Sequence, residues 1–321
     1  MSHLRFRNPF RVNSSPPAAC TSVCEEPAMG GETREGGLDG LLAPLGLPRF
    51  VRESFGREPV LLRGAAARVR GLISLERVAE ALLRRDREKG QFLVAAEGFH
   101  SEEFVRAYLD AGRPVVWNAA RGATPALDAL TLEFGEAFGG SVWPNIYSTG
   151  AAVKPFNIHF DAHDVLAVQC EGAKEWLVSN VRVDCPIDLP AFAPTVQRAL
   201  EERRAEALAD VRMTVVTQPG DVLYIPRGQF HDARTPQGRS LHVSFGIAPP
   251  TGIDLLGALV PLALRETLFR EYLPPALADP DGARTRAHLG RLIERLTQLA
   301  RSEDLLRSLT GNGYRGHQAE C

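Results

Sequence analysis

Between residues 115 and 248 the chain breaks into short apolar runs separated by turn residues, and this rhythm leaves few folds open. The runs fall at 115–117, 142–147, 165–169, 175–178, 211–217, 222–225 and 241–247. Many short strands with Gly and Pro between them describe an antiparallel sandwich or barrel rather than a parallel sheet with crossover helices. The expected architecture is mainly β with flanking helices.

Outside that core the period changes. Residues 1–37 are rich in Ser, Pro and Gly, have no apolar period and read as a disordered leader. Ser74 can cap a helix over about 74–85, where Val78, Leu82 and Leu83 share a face; Arg77 stands where a capping box would need Glu or Gln. Ser101 opens a second helix through Ala111, stopped by Gly112 and Pro114. An Arg-, Glu- and Ala-rich insert at 195–210 reads as an exposed helix. Two further helices are expected at 255–272 and 285–309, the second with Leu289, Leu292, Ile293 and Leu296 in register. The expected division is a leader at 1–37, a core with N-terminal helices at 38–250, and a helical region at 251–321.

Composition narrows the function classes. A net charge of −2 over 321 residues gives no global field for nucleic acid or acidic membrane, and 44% hydrophobic content supports a sizeable core. There is no apolar run of membrane-spanning length and no signal-type segment at the start, so a cytoplasmic protein with no membrane contact and no direct nucleic-acid binding is expected. Cysteines are Cys20, Cys24, Cys170, Cys185 and Cys321, too scattered for a disulfide framework; Cys20-x3-Cys24 lacks the second pair that a metal site would need.

The chemistry concentrates in His159-Phe160-Asp161 and in His231, which closes the stretch Pro219-Gly220-Asp221 through Pro226. In an extended segment His159 and Asp161 face one way and Phe160 the other. Two imidazoles and a carboxylate are the set that holds non-haem Fe(II) on one face and leaves the other positions open. His163 lies past the expected turn at Ala162-His163 and reads as an outer residue. On the run Ser240 to Gly246, Leu241, Val243 and Phe245 face one way and Ser240, His242 and Ser244 the other. If that polar face lines the interior, Ser244 touches a ligand and His242 is a hydrogen-bonding neighbour. Lys174 follows on a later strand, where a mid-strand lysine needs an anion or must reach out to water.

Together these residues resemble the JmjC/cupin 2-oxoglutarate-dependent oxygenases, most closely the ribosomal-oxygenase and asparaginyl-hydroxylase branch. The resemblance rests on His159-x-Asp161-x-x-Asp164-Val165, on Gln169-x-x-Gly172-x-Lys174-x-Trp176, and on Pro219-Gly220-Asp221 through Pro226 to His231, and it covers roughly residues 40–275. It implies a double-stranded β-helix (jelly-roll) core. It also implies Fe(II) with 2-oxoglutarate and O2, with His159, Asp161 and His231 as catalytic metal ligands and Lys174 on the distal 2-oxoglutarate carboxylate. Asn145-x-Tyr147 stands where similar enzymes face the cosubstrate. The segment ending at Tyr272-Leu273-Pro274-Pro275 looks like the family's dimerisation region, so a homodimer is expected. Ribosomal oxygenases carry a further winged-helix-like domain, and the stretch after Pro275 is too short for it. The implied activity is hydroxylation of an amino-acid side chain in a protein or peptide. The alternatives are an oxygenase acting on a free small molecule or amino acid, and a cupin isomerase or metal-binding module. Histone demethylation is disfavoured by the absence of a Cys/His zinc cluster.

Overall fold

A computed structural model describes residues 37–65, 71–84, 91–94, 101–151 and 157–305. The leader except Gly37, the Cys20/Cys24 pair and the chain beyond Leu305 lie outside the described residues.

The strands are β1 (Val60–Leu62), β2 (Gln91–Val94), β3 (Val115–Asn118), β4 (Ser141–Gly150), β5 (Asp164–Gly172), β6 (Lys174–Arg182), β7 (Val211–Thr217), β8 (Val222–Ile225), β9 (Gln229–Arg234) and β10 (Arg239–Ala248). They form a seven-stranded sheet, β1-β8-β5-β10-β4-β3-β2, and a three-stranded sheet, β7-β6-β9, with antiparallel pairing throughout. Every expected run became a strand.

Alternation along β10 gives the large sheet two different faces. Leu241, Val243, Phe245 and Ile247 are fully buried in the main apolar core, with Leu166 and Val168 of β5 and Val142 and Ile146 of β4. The helices cover this face: α1 (Leu38–Leu42), α2 (Leu47–Glu53), α3 (Leu75–Arg84), α4 (Glu102–Asp110) and α5 (Pro125–Phe138) supply Leu41, Phe50, Val78, Leu109 and Phe134 to the same cluster. The other face carries Val165 and Ala167 toward Trp176 and Val178 of the small sheet, in a second, smaller cluster.

Local signals explain the helix ends. Ser74 and Ser101 accept from the amides of Arg77 and Phe104, as N-caps do. Helix α5 is a correction to the reading of 115–248, which expected a helix only at the 195–210 insert. Thr124 caps it, Pro125 sits in its first turn and Gly139 ends it at φ 63°. Leu127, Leu130, Thr131 and Phe134 are buried at helical spacing, a pattern masked by the strands on either side.

The insert helix, α6 (Ala193–Ala209), is less exposed than expected: Val196, Ala199, Leu200 and Ala207 pack with Phe160, Val181 and Phe230. Past the sheets, α7 (Gly252–Ala263) opens on a Thr251–Asp254 capping box and is shorter than the expected 255–272. It ends where Arg265 and Glu266 turn back onto Leu262 and Ala263, and Glu266 is held by Arg295 at 2.5–3.0 Å. Residues Thr267–Arg270 follow as a short 3-10 turn. The last helix, α8 (Ala283–Ala300), is also shorter than the expected 285–309, which runs on beyond the described residues. No described helix is long and apolar enough to cross a membrane.

Candidate metal centre and its anion pocket

The His159 segment is not a regular strand. It joins the edge of the small sheet through one antiparallel bridge, His159 N donating to His231 O at 3.0 Å and His231 N to His159 O at 2.7 Å. The chain then bends at Ala162-His163 and enters the large sheet as β5. Phe160 points away and meets Phe230 edge-on at 5.0 Å. His159 and Asp161 therefore turn inward together, as the alternation requires.

Gly228 holds the other side. Its amide donates to Asp161 O at 2.8 Å, and its φ of 80° is a left-handed conformation. A Cβ there would come within 2.1 Å of Val183 O, so glycine is the residue that can make this turn three positions before His231.

One ligand atom from each of His159, Asp161 and His231 lies within 4.8 Å of the others. The two imidazoles have ring centroids 4.5 Å apart, and His231 Nε2 is 3.6 Å from the Asp161 carboxylate. Nδ1 of His159 faces Asn157 O at 2.8 Å, and Nδ1 of His231 faces Gln229 O at 3.0 Å. A carbonyl only accepts, so each Nδ1 carries a proton and each Nε2 is the nitrogen turned away from the backbone. That orientation suits a metal ligand whose other nitrogen is fixed by the backbone. Burial, reinforced by the His159 charge, pushes His231 down to about 4, so the ring is neutral at physiological pH. Burial would raise Asp161, but the neighbouring His163, His231 and His159 outweigh it and hold the carboxyl below its usual value. His163 stays outside the triad, against Trp143 at 4.8 Å.

Lys174 opens β6 and is only 2% exposed. Its Nζ donates to Thr149 Oγ1 at 2.7 Å and Thr235 Oγ1 at 3.4 Å, and it has no carboxylate in ion-pair contact among the described residues. Burial pulls its pKa down to about 8, against a smaller opposing pull from Asp232. A buried ammonium satisfied only by hydroxyls is costly, and an incoming carboxylate would offset that cost.

The β4–β10 register builds the wall between the two ends. Asn145 stands opposite Ser244, Tyr147 opposite His242 and Thr149 opposite Ser240. Tyr147 stacks on His242 at 4.9 Å and 11°, and Trp176 meets His242 edge-on at 5.3 Å. Burial, then the Asp161 charge, raises Tyr147 above its ordinary value, while a hydrogen bond from Asn145 opposes them. Asn145 Oδ1 also accepts from Ala119 N at 2.9 Å, so this side chain orients Tyr147 as well as facing the cavity. Trp176 Nε1 donates to Thr217 Oγ1 at 3.2 Å, which fixes the ring between His231 and His242.

Of the site residues read from the sequence, Asn145, Tyr147, Lys174, His231 and Ser244 lie in the strands of the two sheets, and His159 and Asp161 lie on the segment bridged to β9. Thr149, Thr235 and Trp176 complete the pocket. Extending the Asn145-Tyr147 alternation by two residues would have found Thr149; nothing local marks Thr235, whose contact spans 86 positions.

A donor set of two imidazoles and a carboxylate, with a buried cation that has no carboxylate in ion-pair contact among the described residues, fits a divalent metal with a chelating dicarboxylate. The metal would be held by His159, Asp161 and His231, and the dicarboxylate's far end by Lys174.

Residues 127–255 match the JmjC domain family. The chain is 29% identical over 269 residues to ribosomal oxygenase 1 of Homo sapiens, covering 76% of this chain and 40% of that protein. It is 26% identical over 290 residues to a bifunctional lysine-specific demethylase and histidyl-hydroxylase of Drosophila persimilis, covering 81% of this chain and 40% of the relative. The chain thus spans about two fifths of the length of these relatives. Its fold is shared with a ribosomal oxygenase of Escherichia coli, solved with cobalt and 2-oxoglutarate, at a TM-score of 0.57 and 18% identity; the match covers 82% of this chain and 68% of that one.

Proposed function

Given that the chain carries a JmjC domain and is of the ribosomal-oxygenase type, we propose that it is an Fe(II)- and 2-oxoglutarate-dependent hydroxylase of an amino-acid side chain in a protein or peptide. The observation that carries this reading is an open His159–Asp161–His231 set linked through Trp176 and His242 to a buried Lys174 that has no carboxylate in ion-pair contact among the described residues. A cupin isomerase or metal-binding module has no evident use for that lysine.

When bound, the iron and 2-oxoglutarate supply oxidative decarboxylation of the keto acid by O2 and transfer of one oxygen atom to a C–H bond of the substrate. The chain's own contribution is placement. His159, Asp161 and His231 would hold the metal, and a set of three protein ligands would leave it positions for the cosubstrate and O2. Lys174 would hold the distal carboxylate by a charge-assisted bond, with Tyr147 next along the wall and Ser244, opposite Asn145, further from the lysine. Val165, Ala167, Leu223 and Ile225 keep water out behind the pocket.

The C-terminal helices are read as a dimerisation region. Ile253, Leu256 and Val260 on α7, with Leu264 at its C-cap, are exposed apolar residues, as are Leu289 and Ile293 on α8. A second copy is the partner we assign to them. Residues 38–250 would then be the catalytic unit of a cytoplasmic homodimer. The substrate we favour is a ribosomal-protein side chain, on the strength of the relatives' activity.

The test is succinate formation from 2-oxoglutarate with Fe(II), with and without ribosomal-protein peptides, followed by mass analysis of the peptides. Substrate-stimulated succinate and one added oxygen on a peptide are expected. Stimulation by free amino acids alone would move the substrate to a small molecule, and no turnover of any kind would remove the oxygenase reading.

A further inference from the structure

The cavity wall carries one polar group that the proposed function has not used. His242 sits in the middle of β10, flanked by Tyr147 on β4 and Gln169 on β5, and is 4% exposed. Its Nδ1 is buried and has no hydrogen-bond partner among the described residues. An unpaired buried ring nitrogen is costly, and a strand position that packing alone requires is better filled by Phe or Leu.

The setting is specific. Tyr147 covers one face of the ring and Trp176 meets it edge-on, so the imidazole cannot swing to find a partner elsewhere. Lys174 lies close enough for its charge to act on His242, second to burial, and both keep the ring neutral. Among the described residues, a cation without a carboxylate in ion-pair contact and an imidazole whose Nδ1 has no hydrogen-bond partner thus lie within electrostatic reach of each other. The other polar side chains there have partners of their own: Thr149 and Thr235 bond each other at 2.7 Å, and Gln169 bonds Ser240 and Thr217.

We propose that His242 is a cosubstrate-binding residue, donating from Nδ1 to the same 2-oxoglutarate carboxylate that Lys174 holds. This inference rests on the proposed function and deepens it. A carboxylate has lone pairs for several donors, so one ammonium leaves acceptor sites open for a second. A neutral donor adds direction without adding a second buried charge.

The experiment is anaerobic calorimetric titration of 2-oxoglutarate into the Fe(II)-loaded protein, comparing wild type with three variants. His242→Phe keeps the aromatic stacking and removes the donor. His242→Asn places an amide donor where Nδ1 was, and His242→Gln places it nearer Nε2. Loss of a hydrogen bond to a charged group predicts that Phe and Gln weaken binding by roughly tenfold to a hundredfold, while Asn retains most of the affinity. Phe binding like wild type would overturn the proposal, as would equal affinity of Asn and Gln; the second comparison stands even if the Phe variant does not fold. No binding by wild type would instead overturn the proposed function, so the two failures are distinguishable.

Discussion

The inner cavity and the C-terminal helices are incomplete in opposite ways. In the cavity, polar groups are buried without full partners: among the described residues Lys174 has hydroxyls but no carboxylate in ion-pair contact, and His242 Nδ1 has no hydrogen-bond partner. On α7 and α8 apolar groups are exposed without cover, Leu264 at 60% and Ile293 at 63%. Buried polarity calls for a small charged ligand, because only a ligand that brings its own acceptors offsets the desolvation. Exposed apolar surface calls for another protein, because only broad contact removes that area from water. The two regions therefore bind different things, and a change in one should leave the other intact.

The largest effect is expected at the metal end. Asp161→Ala should reduce succinate formation to background, as should removal of the metal by a chelator, with thermal melting reporting that the fold persists. Turnover near wild type would break the assignment of ligands.

Lys174→Met gives a smaller effect that splits by sign. Cosubstrate affinity should fall roughly a hundredfold with the loss of a charge-assisted bond. The ligand-free protein should melt at a higher temperature, because a buried ammonium has been replaced by a thioether chain of similar length. A lower melting point would mean that Lys174 stabilises the empty fold. The pH dependence follows from the same residue. Binding needs the ammonium, and the free lysine is pulled down to about 8. Affinity in wild type should be full below that pH and fall by about tenfold per unit above it, until the lysine of the complex also titrates. Lys174→Met should lack this dependence; an unchanged profile would assign the titration to another group.

The smallest effect at the cavity is expected from Leu256→Glu on α7. Sedimentation should shift toward monomer while 2-oxoglutarate affinity stays within about twofold, as distant sites act independently. Loss of affinity on dissociation would show that the regions are coupled.

The strands were readable because each is a short apolar run closed by turn residues, alternating in β4 and continuously buried through most of β5 and all of β8. His159, Asp161 and His231 were readable because short, rigid surroundings fix their direction: Phe160 faces outward, and Gly228 takes a turn open to glycine. Helix α5 was not readable as a helix, since its apolar period sits between strands and its best signals, Thr124-Pro125 and Gly139, are local. Helix α7 ended early for a long-range reason, the hold of Arg295 on Glu266 across 29 positions. The unpaired state of His242 is also a tertiary property, set by which groups the β4, β5 and β6 strands bring beside it.

The central claim is that the metal end and the Lys174 end act on one ligand. Its most direct test is anaerobic absorption titration of 2-oxoglutarate into Fe(II)-loaded protein, which reports chelation of the metal by the keto acid as a charge-transfer band. The account predicts a band that saturates at one equivalent in wild type, needs much more ligand in Lys174→Met and is absent in Asp161→Ala. A wild-type protein that binds Fe(II) and shows no band would contradict it.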